Sequence, residues 1–164
     1  MNAPASSRDA AFAAIEKELG CSFDGEIRVG GHYVPVVRHG DEVWVSGQIP
    51  RVGDTVMVTG RAGAGVSLEE ARRAARIDAM RALALLRRSL GSLDAIGAVL
   101  RITVFVQCSD DFTQQSEVAD GASDVLHAVL GAAGVHTRTS VGVAQLPKNA
   151  TVEVDLVAAV RPGA

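Results

Sequence analysis

The sequence predicts an α+β domain, a mixed β-sheet with two helices packed on one face and an extra helix at the N-terminus. Three observations carry that reading. Six β-prone runs and two long helical runs alternate in the order βββ-α-β-α-ββ. The first long helix opens on a capping box, Ser67-Leu68-Glu69-Glu70, and stops at Gly91. The last two runs, 138–146 and 151–160, alternate in β fashion around Pro147-Lys148-Asn149 and read as a hairpin.

Residues 1–7 read as a tail. Ala10, Ala11, Phe12, Ala14, Ile15 and Leu19 recur at near-helical spacing over 8–19, with Gly20 as the stop, so a short amphipathic helix is expected outside the main fold. The division is therefore 1–30 as tail and helix, and 31–164 as a single domain. Residues 33–38 and 42–46 are two strands about the turn His39-Gly40-Asp41, and 55–59 is a third. Leu68, Ala71, Ala75, Leu83, Leu86 and Leu90 form the apolar face of the helix over 67–90, with Arg72, Arg73, Arg76, Arg87 and Arg88 mostly towards solvent. Residues 98–107 are the most β-prone run, and a second long helix is expected over about 111–130.

At 164 residues the chain can bury a real core, and with 48% hydrophobic but only 4% aromatic residues that core must be Val, Leu, Ile and Ala. A net charge of −3 offers no broad attraction for a polyanion, and one Trp and one Tyr give bases little to stack on. A nucleic-acid partner is not expected. No run of uncharged apolar residues is long enough to span a membrane, and charges interrupt any leader-like start, so the expected location is the cytoplasm. Cys21, Cys108 and the four His show no metal-ligand spacing, so no metal is expected. The segment Gly60–Ser67 nearly spells a phosphate-binding loop but has Val66 where Lys is needed, which rules against nucleotide binding.

The last two strands carry the chemistry. Arg138 and Ser140 share a strand face, and a guanidinium beside a hydroxyl suits a carboxylate. Glu153 stands between Val152 and Val154, where a partly buried acid can serve as a general base. The bland alternative is an Arg that merely starts a strand and a Glu that faces water.

Further motifs sit in order along the chain: Tyr33, Ser46-Gly47-Gln48-Ile49-Pro50, Thr103-Val104-Phe105-Val106, Asp111-Phe112, Arg138-Thr139-Ser140-Val141, Leu146-Pro147-Lys148 and Val152-Glu153-Val154. Their ordered combination, over residues 31–160, resembles the RidA/YjgF family of reactive-intermediate deaminases, also called L-PSP endoribonucleases or translation inhibitors. The resemblance implies a chorismate-mutase-like fold and a homotrimer with clefts between subunits. It implies that Arg138 binds a substrate carboxylate, that Glu153 positions the attacking water, and that Tyr33, Ser46 and Gly47 line the cleft. Ser116 stands where the family often has Asn, and Ser140 where it often has Cys, as in a longer and less characterised branch.

The expected function is hydrolysis of 2-imino acids to 2-oxo acids and ammonia, a reaction that needs neither metal nor organic cofactor. A non-catalytic trimer that binds a small acid, and an endoribonuclease or translation inhibitor, are the alternatives. With 138–146 and 151–160 paired as a hairpin, Glu153 would lie opposite Val143, and Arg138 roughly 15 Å further along at strand spacing. The two residues of one site are then expected from different chains.

Overall fold

The computed structural model describes residues 6–164, so the expected tail lies mostly outside the described residues. Ser6 is the N-cap of α1 (Ser7–Leu19), its hydroxyl accepting from the Asp9 amide. Then come β1 (Val36–His39) and β2 (Glu42–Gln48), followed by four two-residue strands: β3 (Arg51–Val52), β4 (Thr55–Val56), β5 (Arg61–Ala62) and β6 (Gly65–Val66). Helix α2 (Leu68–Leu90), β7 (Ile96–Gln107), α3 (Gln115–Leu130), β8 (Thr137–Val143) and β9 (Val152–Val160) complete the order. The capping box forms as read, with Ser67 and Glu70 bonded reciprocally.

The main sheet is five-stranded in the order β1-β2-β9-β7-β8, with β8 parallel to β7 and the other pairs antiparallel. The expected terminal hairpin is therefore wrong: β8 and β9 do not pair, because β7 lies between them. Composition explains the placement. β9 buries every second residue from Val152 to Val160 and holds a central position, whereas β8 has no fully buried residue and lies at the edge. Reaching a parallel edge position requires a crossover, and α3 supplies it.

Smaller corrections share a cause, since β-propensity marks extended chain but not its partner. The run 55–59 is not a strand of the main sheet: Thr55–Val56 pairs only with Arg51–Val52. β1 starts at Val36 rather than residue 33, where Pro35 interrupts the run. α3 starts at Gln115, four residues later than read, because the preceding Ser109 to Asp111 turn closes on itself through the Ser109 hydroxyl and the Asp111 carboxylate.

Helices α2 and α3 cover one face of the sheet. Ile77, Met80, Leu83 and Leu86 of α2 and Val118 and Leu126 of α3 meet Ile102, Val104, Val154 and Leu156 in one aliphatic core. Phe12, Ile15 and Leu19 of α1 join the same core. The α2 arginines are less free than the sequence suggested. Arg76 pairs with Glu18 at 2.9 Å, Arg87 stacks over Phe12, and Arg88 donates to the carbonyls of Phe23 and Gly25. α2 and α3 approach closely at Gly121, where an added Cβ would collide with the Arg72 carbonyl. Gly121→Ala is therefore expected to destabilise the fold by about 1–3 kcal/mol, read as a lower urea midpoint with unchanged slope.

Candidate active site

The second strand carries a bulge that builds the site. β2 pairs with β9 in register up to Val45↔Leu156, then shifts, so that Ser46 and Gly47 bulge out before Gln48↔Val154. Gly47 is required here by close approach. A Cβ on it would collide with the Glu153 Oε1 and come within 2.8 Å of its Cδ. The carboxylate of Glu153 therefore lies directly against the Gly47 backbone.

Glu153 borders a cavity of about 280 Å³ that Tyr33, Ser46, Gly47, Ile49 and Lys148 also line. Arg81 of α2, buried at 4% exposure, also lines it. Its Nε donates to Gln48 Oε1 at 2.9 Å, Nη1 to the Arg51 carbonyl at 2.8 Å and Nη2 to the Arg28 carbonyl at 3.0 Å. Gln48 in turn donates to the Ser46 carbonyl at 2.9 Å, which fixes the bulge. Burial raises the Glu153 carboxyl above its ordinary range, and Asp155 two residues on raises it further. A base that holds its proton more readily is better matched to proton transfer near neutral pH.

Asp78, one turn before Arg81, is fully buried and neither carboxylate oxygen has a partner among the described residues. Burial raises its carboxyl well above the ordinary value, the nearby Glu153 charge adds to this, and Arg81 opposes it.

Arg138 stands elsewhere. It is opposite Ile102 on β7 and faces α3, whereas Glu153 is opposite Phe105 on the other side of β7 and faces away from the helices. Along the sheet the two are about 10 Å apart lengthwise and about 10 Å across two strands. Lying on opposite faces as well, they cannot touch one small molecule within one chain. Glu153 thus lies opposite Phe105, not Val143 as the hairpin implied. Ser116 lies with Arg138, donor to acceptor at 2.9 Å, while Ser140 shares the Arg138 face without a side-chain bond among the described residues.

Six of the sequence-derived residues thus fall into two groups: Tyr33, Ser46, Gly47 and Glu153 with the cavity, Arg138 and Ser116 together beside α3. Arg81 and Asp78 were missed, and Gln48 appeared only within its motif, with no role assigned. An Arg three residues after an Asp inside an apolar helix face was the available signal.

A mixed sheet bearing a half-buried carboxylate over a glycine bulge, with two helices covering its other face, defines an α+β domain with a cavity at the edge of its sheet. The family profile described as Endoribonuclease L-PSP matches residues 24–160. The chain belongs to this family, the RidA/YjgF proteins. Protein TCP17 of Trypanosoma cruzi is 40% identical over 144 residues, which span 87% of this chain and 90% of that protein. A solved structure from Agrobacterium tumefaciens, of unknown function, is 35% identical with a TM-score of 0.83, over 93% of this chain and 94% of that one. Another from Shewanella oneidensis, named only provisionally as an endoribonuclease, is 25% identical with a TM-score of 0.86, over 94% and 99%.

The state of Asp78 has a measurable consequence. The folded chain keeps the Asp78 proton, while the unfolded chain releases it near pH 4. Folding then takes up a proton above that pH, so Asp78 costs increasing stability as pH rises towards its folded pKa. Asp78→Asn is expected to gain stability relative to the wild type as pH rises above about 4, with the gap closing at acid pH, by denaturant unfolding at several pH values.

Proposed function

We propose that the protein is a cytoplasmic, cofactor-independent hydrolase that converts 2-imino acids into 2-oxo acids and ammonia in clefts between the subunits of a homotrimer. The observation that carries this is the Glu153 carboxylate, seated on the Gly47 backbone and raised in pKa by burial, at the wall of a small cavity.

Glu153 orients a water and takes its proton as the oxygen bonds to the imine carbon. The proton passes to nitrogen to give a carbinolamine; its hydroxyl then gives up its proton to nitrogen as C=O forms and the C–N bond breaks, releasing ammonia and the 2-oxo acid. Enamines enter after tautomerising to the imine. Arg138 of the neighbouring subunit binds the carboxylate and orients the reacting carbon. Tyr33, Ser46 and Gly47 line the pocket around it.

Two observations support the assembly. Within one chain Arg138 and Glu153 lie on opposite faces of the sheet, and a cyclic assembly brings one chain's Arg138 to its neighbour's Glu153. The face away from the helices also exposes Trp44 and Val37, which pair across β1 and β2, and Val141 on β8. An apolar sheet face of this kind suits burial against copies of itself.

The experiment is turnover of imines made in situ by an amino-acid oxidase, with semicarbazide trapping as the competing reaction. Wild type should suppress semicarbazone formation, and Glu153→Gln should lower this at least about 100-fold, the scale of a lost general base. Binding without turnover would overturn the catalytic reading. RNA cleavage that co-purifies and disappears in Glu153→Gln would favour the nuclease instead.

Subunit sharing has its own test. Arg138→Ala and Glu153→Ala should each be inactive, yet unfolding and refolding them together should restore an intact site at roughly a quarter of interfaces. Background activity after subunit exchange is confirmed by mass would sink the shared site, as would a monomer mass by light scattering at micromolar concentration.

A further inference from the structure

Arg138 is heavily engaged within its own chain. Nη1 donates to Asp120 Oδ1 at 2.8 Å and to Ser123 Oγ at 2.9 Å. Nη2 donates to Ser116 Oγ at 2.9 Å and to the Ser116 carbonyl at 3.2 Å. All four terminal N–H groups are committed, and Nε–H is the donor without a partner among the described residues.

Behind Ser123 stands His136. Its Nδ1 lies 2.6 Å from the Gly134 carbonyl and its Nε2 lies 2.9 Å from Ser123 Oγ. A carbonyl only accepts, so Nδ1 carries the proton and Nε2 of the neutral ring is an acceptor. Ser123 therefore donates its hydroxyl proton to His136 and offers its lone pair to Arg138. The bonds run in one direction, from Arg138 to Ser123 to His136 to the Gly134 carbonyl.

We propose that Ser123 and His136 are positioning residues for Arg138: the relay locks the Nη1 pole so that the Nε edge meets the ligand carboxylate, and a proton on His136 unlocks it. This rests on the reading of Arg138 as the carboxylate anchor. A charged His136 aims a second donor at Ser123 Oγ, forcing the hydroxyl proton to turn away where Ser123 is only 8% exposed. The titratable and charged groups facing His136 are Asp120, Asp124 and His127 of α3 and Arg138 of β8, while the turn Gly131–Gly134 brings none. Burial lowers the His136 pKa, His127 and Arg138 lower it further, and the Gly134 bond opposes them. The neutral relay is thus the state at neutral pH.

The test uses the full chain with pyruvate as the probe, by calorimetry and by KM and kcat for the imine. Ser123→Ala should weaken pyruvate about tenfold and raise KM with little change in kcat, while Ser123→Thr keeps the hydroxyl and the affinity. In wild type, affinity should fall on acidification through the His136 titration, and this limb should vanish in His136→Phe. Protonating Glu153 would favour an anion, the opposite sign, so Glu153→Gln should keep the limb. A folded Ser123→Ala with wild-type affinity, or an acid limb that persists in His136→Phe, overturns the proposal. The Arg138 Nε–H signal in NMR, followed without ligand, tests the relay alone. A signal that does not move through the His136 titration overturns it. A moving signal with no pyruvate bound by wild type supports the relay and overturns the anchor reading.

Discussion

Arg81 ties together the segment at Arg28, the bulge through Gln48 and the turn at Arg51 from inside the helix layer. A guanidinium with five fixed donors is suited to this, because each donor finds its own acceptor without a change of rotamer. The bulge it steadies carries Gly47, and Gly47 admits the Glu153 carboxylate. The cavity wall therefore depends on a residue inside the helix layer. Desolvation lowers the Arg81 pKa, and its hydrogen bonds to the buried Gln48 side chain and to two backbone carbonyls offset part of that cost.

The sheet separates two kinds of chemistry. On the helix side, Arg138 is ordered by the hydroxyls and carboxylate of α3. On the other side, Glu153 and Asp155 repeat every second residue along a central strand, where the Asp155 charge adds to burial in raising the Glu153 carboxyl. β7 runs between the groups as a rigid spacer, with Ile102 beside Arg138 and Phe105 beside Glu153. Arg138 and Glu153 are thus held apart within one chain by strand pairing rather than by a loop.

Much of this was legible in the sequence because its signals are local. The capping box of α2, the alternation of β9 and the shared face of Arg138 and Ser140 each depend on neighbours in the chain. The ordered motifs placed Tyr33, Ser46, Gly47 and Glu153 in one neighbourhood. Strand pairing was not legible, since alternation marks a face and not a partner, and the turn-like Pro147-Lys148-Asn149 invited a hairpin. Lys148 and Asn149 do take left-handed backbone angles, but the chain they turn crosses the end of β7. The Arg81 and His136 networks were hidden for a similar reason: they join residues up to 53 positions apart through backbone carbonyls, which leave no mark on composition.

Phe12 has a bearing on where this fold ends. The family match starts at residue 24, after α1, yet Phe12 is fully buried, meets Phe23 edge-on and lies under the Arg87 guanidinium. The arginine row of α2 is therefore half roofed, and its positive charge is spent on Glu18, Asp24 and an aromatic face. A chain trimmed to the shared region would keep Asp24 beside Arg87 but lose Glu18 from Arg76 and Phe12 from under Arg87, and it would open to water the apolar seam that α1 now covers.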